Sequence, residues 1–141
     1  MLSEKEKERY SRHLLLEEIG EQGQEKIKNA KILVVGAGGL GSPVLLYLAA
    51  AGIGTIGIMD DDTVSESNLQ RQVLYDTRCI GEPKTKVAAG KLQALNPYIC
   101  IHSYTQRFTT ENSEEIVNEY DVVIDATDNL LSRRPSGLRK T

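Results

Sequence analysis

"VVGAGGLGSPVLLYLAAAGIGTIGIMDDD", residues 34–62, decides the fold. An apolar run meets a cluster of glycines, a small-residue segment follows, and a second apolar run ends in three acids. "KILVVG" (31–36) is β-branched and uniformly apolar, as expected of a strand buried on both faces of a parallel sheet. Leu40 to Ala51 reads as a helix rich in small residues, with Pro43 in its first turn, where a missing N–H costs little. "TIGIMD" (55–60) reads as the next strand.

Gly36, Gly38 and Gly41 fit GxGxxG, and Gly39 adds a fourth glycine. The first glycine permits a tight turn, the second lets a phosphate approach the backbone, and the third lets the helix pack on its strand. N–H groups at the helix start then face the phosphate with the helix dipole behind them. Alone the motif is weak; placed after a strand and at the opening of a helix it marks a nucleotide site. Asp60 ends the second strand, 24 residues after Gly36, where an acid accepts hydrogen bonds from ribose hydroxyls. Asp61 and Asp62 fit either the site or a solvated turn. To this point a dinucleotide and ATP fit equally well.

The rest of the chain continues the alternation. Ser3 with Glu6 reads as a capping box opening a helix of about 15 residues, with Leu14, Leu15 and Ile19 inward and Gly20 as its stop. "EQGQEKIKN" (21–29) gives a second short helix. "DDTVSESNLQRQVLYDTRCIGE" (61–82) is a long polar connection without an obvious element, and loops of that length are usually functional. Pro83 opens a helix to about Leu95, ended by Asn96-Pro97. "ICIHSYTQRF" (99–108) is a third strand, Thr109 or Thr110 caps a helix through Val117, and "DVVIDATD" (121–128) is a fourth strand. The expectation is an α/β fold: a Rossmann-like parallel sheet with flanking helices and an N-terminal helical arm. Its parts are the arm at 1–29, the nucleotide-binding domain at 30–129 and an atypical basic tail at 130–141.

The long connection favours ATP. It supplies Asn68, Gln70, Arg71 and Gln72, and "GEPKTK" places Lys84 at a helix start. A triphosphate cleaved between its α- and β-phosphates concentrates charge on the leaving pyrophosphate, and Arg and Lys are suited to neutralise it. Asp128 and Asn129 follow the fourth strand at the carboxyl edge of the sheet, where open α/β folds bind ligands. A carboxylate there could hold Mg²⁺ or cap a helix.

Bulk properties narrow the class. At 141 residues, 40% apolar and 26% charged, the chain has the composition of one globular domain. A net charge of −3 argues against a general nucleic-acid binder, no apolar run is long enough for a membrane span, and the charged N-terminus lacks a signal core, so a cytoplasmic location is expected. Cys79 and Cys100 form no CxxC pair, so neither a zinc site nor a disulfide scaffold is expected, only two partly buried thiols. His13 and His102 read as packed or surface residues, and Tyr10, Tyr47 and Tyr75 as packing residues. Residues 1–129 carry 13 bases against 20 acids, whereas 130–141 hold four bases and no acid.

With those residues in view, the chain resembles the ThiF/MoeB/HesA family, bacterial relatives of the ubiquitin-activating enzymes. The resemblance rests on "RYSRHLLL" (9–16), "GAGGLGSP" (36–43), "DDDTVSESNLQRQ" (60–72), "GEPKTKVA" (81–88), "LNP" (95–97) and "DATDN" (125–129). It implies an adenylyltransferase that binds ATP and Mg²⁺ and activates the terminal carboxylate of a ubiquitin-like sulfur carrier protein ending in Gly-Gly. The product would be an acyl adenylate that later receives sulfur for thiamine or molybdopterin. Carried over, Gly39 would lie against the phosphates and Asp60 would hold the ribose. Ser67, Asn68, Leu69, Gln70 and Arg71 would line the nucleotide, Lys84 would neutralise pyrophosphate, and Asp128, with Asn129 beside it, would position Mg²⁺. Arg12 would reach across a homodimer to the neighbouring γ-phosphate. Family members run longer, and "RPSGLRKT" (134–141) departs from their apolar continuation, which suggests a truncated or frame-shifted chain. An NAD-dependent oxidoreductase domain and a nucleotide-binding fragment without activity are the alternatives.

Overall fold

The computed structural model describes residues 1–70 and 72–127. Arg71, Asp128, Asn129 and the basic tail therefore lie outside the described residues. Four strands form one sheet: β1 (Lys31–Val35), β2 (Thr55–Met59), β3 (Cys100–Tyr104) and β4 (Val122–Asp125). All pairings are parallel and the order is β3-β2-β1-β4. The chain winds outward from β1 to β3, then returns to place β4 on the other side of β1. The order thus reverses at β1, and the carboxyl ends of β1 and β4 flank a topological switch point.

Side-chain alternation along β1 divides the core between the two faces of the sheet. Val34 joins Ile56, Ile58, Leu45, Ala49, Ala88 and Leu92 in one cluster, while Leu33 and Val35 join Met59, Val117, Tyr120 and Val123 in the other. The first cluster is covered by α4 (Gly41–Ala51) and α5 (Lys84–Leu95), the second by α6 (Thr110–Val117). Pro43 falls in the first turn of α4, and Pro83 is the residue before α5. Thr109 caps α6 with a reciprocal pair to Asn112. The third and fourth strands are shorter than the sequence suggests, and the chain beyond each belongs to the site described below.

The N-terminal segment is helical but not one helix. The Ser3–Glu6 capping box opens α1 (Glu4–Arg9), as expected, but the chain breaks at Tyr10 before α2 (Ser11–Leu14) and α3 (Gly20–Asn29). Tyr10 leaves helical geometry (φ −99°, ψ 17°) because its ring is buried and its hydroxyl accepts a 2.7 Å hydrogen bond from Asn96 Nδ2. The break turns Leu15 outward, 85% exposed, instead of inward, and Gly20 begins α3 rather than ending a helix. Gln24 is buried beneath the segment, donating to the Ala51 carbonyl and pairing with His13 Nδ1. Of the three tyrosines expected to pack, Tyr10 and Tyr75 are buried, whereas Tyr47 is exposed on α4. Of the two cysteines, Cys79 is half-buried and Cys100 is exposed on the edge strand.

The long connection is ordered by its own ends. Val64 N–H donates to Glu82, Gly81 N–H to Val64 and Lys84 N–H to Asp62, and Thr63 bridges Pro83. Two 3₁₀ turns, Glu66–Asn68 and Thr77–Cys79, fill the span, and Val64, Leu74 and Tyr75 anchor it in the first core cluster. It is a compact Ω-loop, closed at its neck, which brings Asp62 and Lys84 together.

Candidate functional site

A cavity of about 490 Å³ opens along the carboxyl edge of the sheet. It draws on the end of every strand: Val35, Gly36 and Gly38 after β1, Met59 to Asp62 after β2, Gln106 to Phe108 after β3, and Ala126 and Thr127 after β4. The Ω-loop closes it with Asn68 and Gln72, and α5 adds Lys84.

The glycine turn has its form because side chains will not fit. Gly36 has φ +100°, and a Cβ there would stand 3.0 Å from the Ala126 carbonyl, so β1 and β4 converge only around a glycine. A Cβ on Gly41 would fall 1.8 Å from the Gly36 carbonyl oxygen, which is why α4 can start directly behind the turn. Ala37, between them, is held at both ends of its backbone. Its N–H donates to Asp60 Oδ2 at 2.8 Å, and its carbonyl accepts from the Tyr75 hydroxyl at 2.6 Å. Asp60 Oδ1 accepts a second bond, 2.7 Å, from the Asp62 N–H. Burial, and then the Asp60 charge, push the Tyr75 phenol well above its ordinary value, so it remains a donor.

Lys84 is the buried cation among the described residues of the site, beside the exposed Arg107. Its side chain is only 6% exposed, yet its carboxylate partner among the described residues, Asp62 Oδ2, is 3.8 Å away, at the outer limit of an ion pair. A buried ammonium with three donors and, among the described residues, one distant carboxylate can receive an anionic ligand. Asn68 is arranged for the same purpose. Its Oδ1 accepts from both the backbone and the hydroxyl of Ser65, while its amide nitrogen makes no hydrogen bond among the described residues. That leaves a donor at the cavity wall. The carboxylates of Asp60, Asp61 and Asp62 lie within 4.8 Å of one another on the rim, an all-oxygen set of the kind that suits Mg²⁺.

Of the expected nucleotide residues, Gly36, Gly38, Asp60, Asn68 and Lys84 come together around the cavity. Gly41 serves the turn through packing. Gly39, Ser67 and Gln70 do not line it, and the Leu69 side chain packs against the first core cluster instead. Arg12 is exposed on α2, away from the lining. Sequence reasoning missed Gln106, Arg107, Phe108 and Thr127, and left Gln72 as one polar loop residue among several. The signal for Gln106–Phe108 was position: they follow β3 on the ligand edge, but reading the strand through to Phe108 concealed it.

A family model described as "ThiF family" matches residues 10–135. The chain belongs to the ThiF family. A sulfur carrier protein adenylyltransferase of Thermus thermophilus is 51% identical over 131 residues, covering 93% of this ThiF chain and 48% of the relative. A probable adenylyltransferase/sulfurtransferase MoeZ of Mycobacterium tuberculosis is 48% identical over 132 residues, covering 94% and 34% respectively. The chain thus spans about half or less of the curated relatives it matches. Among solved structures, E. coli tRNA N6-threonylcarbamoyladenosine dehydratase, TcdA, in complex with ATP, superposes with a TM-score of 0.85 at 30% identity, covering 92% of this chain and 53% of that one. The glycine turn, the Ω-loop and the start of α5 all fall within the matched residues. No helix among the described residues is long and apolar enough to cross a membrane.

Proposed function

We propose that this ThiF-family chain carries the nucleotide half of an ATP-dependent adenylyltransferase that activates the Gly-Gly carboxylate of a ubiquitin-like sulfur carrier protein. The observation carrying the proposal is Lys84: a buried ammonium, 3.8 Å from its carboxylate partner among the described residues, lining the same cavity as the glycine turn. A relative named as a sulfur carrier protein adenylyltransferase and a fold neighbour solved with ATP support it.

In this reaction a carboxylate oxygen of the carrier attacks the α-phosphorus, the bond to the β-phosphate oxygen breaks, and pyrophosphate leaves with the electron pair. The attacking carboxylate is already ionised at neutral pH, so no side chain need act as a base. What remains for the protein is positioning and charge neutralisation. Gly38 lets the phosphates approach the backbone, Asn68 offers an amide donor, and Lys84 neutralises the charge that grows on pyrophosphate. Asp60, whose oxygens already accept from Ala37 and Asp62, would take the ribose hydroxyls with its remaining lone pairs. Arg71 would add a planar, bidentate phosphate contact, and Asp128 would hold Mg²⁺ with Asn129 beside it. The Mg²⁺ ion would offset the triphosphate's repulsion from the acidic rim. Arg12, exposed on α2, would complete a neighbouring site within a homodimer.

The test is pyrophosphate release from ATP, with and without a carrier ending in Gly-Gly, by the native chain and a Lys84→Ala variant. Carrier-dependent release that the variant loses supports the proposal. ATP binding without release in the presence of carrier would reduce the function to nucleotide binding.

A further inference from the structure

Among the described residues β3 is an edge strand, paired only with β2. Its side chains alternate between faces, so Cys100, His102 and Tyr104 share one of them. Tyr104 packs on the second core cluster, its hydroxyl 2.9 Å from that of Tyr120. Cys100 and His102, nearer the start of the strand, stay exposed, with Cys100 Sγ 3.5 Å from His102 Nε2. Cys100 is a free cysteine, and neither residue lines the cavity, which opens past the strand's other end. The pair has no part in the activity proposed above.

Zn²⁺ holds a thiolate at about 2.3 Å and an imidazole nitrogen at about 2.0–2.1 Å, and at a tetrahedral angle two such ligands stand about 3.6 Å apart. The 3.5 Å between Sγ and Nε2 is therefore the bite of a tetrahedral chelate, set by two side chains on one face of a strand. We infer that Cys100 and His102 form a two-ligand site for a thiophilic, tetrahedral cation of the Zn²⁺ class, its other two positions taken by water. Binding exchanges the thiol proton for the metal: the proton leaves to solvent, and Sγ and Nε2 each give the cation an electron pair. The missing CxxC pair argues against a closed four-cysteine site, not against this open one. Ligand softness separates it from the rim of Asp60, Asp61 and Asp62, since carboxylates suit Mg²⁺ whereas thiolate and imidazole suit Zn²⁺.

The experiment is a titration of the native chain with Co²⁺, a spectroscopic stand-in for Zn²⁺, in excess Mg²⁺ and with the thiols kept reduced by a phosphine. A cobalt–thiolate bond gives charge-transfer absorption in the near ultraviolet that oxygen ligands do not, so metal on the acidic rim is silent. The native chain should develop this band and lose it when Zn²⁺ displaces Co²⁺. Cys100→Ser should abolish the band. His102→Gln should weaken apparent affinity about tenfold or more, since even the partners behind a metal ligand are worth about 10–100-fold. Both side chains are exposed, so these two variants should melt with the native chain. Cys79→Ser leaves the pair intact and should titrate like the native chain. A native chain without the band overturns the inference. So does a band that survives Cys100→Ser or disappears in Cys79→Ser, and so does native affinity in His102→Gln, which would leave a thiol acting alone.

Discussion

The Tyr75 hydroxyl, on the Ω-loop, donates a 2.6 Å hydrogen bond to the carbonyl of Ala37, 38 residues earlier in the glycine turn. With Asp60 holding the N–H of the same residue, the turn is shaped by the loop behind it as much as by its own glycines. Tyr75→Phe keeps the ring and removes that donor, leaving the buried Ala37 carbonyl only the 3.3 Å contact of Ser42 Oγ. A loss of about 0.5–1.5 kcal/mol of stability is expected in denaturant unfolding, with a several-fold drop in ATP affinity.

Gly41→Ala tests the close approach of α4 to the turn. The added methyl would meet the Gly36 carbonyl oxygen, a backbone atom that cannot turn aside. A destabilisation of about 3 kcal/mol or more is expected, at the upper end of overpacking costs, read from the shift in the denaturation midpoint. Gly90→Ala, on an open face of α5, serves as the control and should leave stability unchanged or slightly improved.

Glu6 predicts a specific acid response. Burial pushes its carboxyl up, but the Ser3 N–H and the Lys28 ammonium, 2.9 Å away, outweigh this and hold it below its ordinary value near 4.5. The group is therefore charged in the folded state at pH values where the unfolded chain binds its proton. Its contribution is complete above about 4.5 and is lost as pH falls through the lower folded value. Glu6→Gln should lower the melting temperature at neutral pH and shrink the acid-side decline. Equal decline in both proteins would assign the acid response to other carboxylates.

Much of this molecule is legible in its sequence because the deciding signals are local. Apolar runs marked β1, β2 and β4, Ser3–Glu6 and Thr109 marked helix starts, and the glycine spacing marked the turn. Other features depended on distant partners. Tyr10 breaks the first helix because Asn96, 86 residues away, binds its hydroxyl. Leu15 reads as part of an inward face until that break turns it out. Arg107 carries no local motif; only the end of β3 brings it to the cavity.

A homodimer with Arg12 acting across subunits makes a prediction that a monomeric site does not. Arg12→Ala and Lys84→Ala would each lose pyrophosphate release when assayed alone. Mixed, they would form hybrids carrying one site with both side chains, and part of the activity would return. No recovery on mixing, with dimers confirmed by sedimentation, would place Arg12 and Lys84 in the same site or remove Arg12 from it.

The most direct measurement is a paired calorimetric titration of the native chain with ATP and with NADH, repeated on Lys84→Ala. A site built for three phosphates should bind ATP in preference to NADH. Losing the ammonium should weaken ATP by about 1.5–3 kcal/mol, the range for a charge-assisted contact, while changing NADH little. NADH bound more tightly than ATP, with affinity indifferent to Lys84, would contradict it.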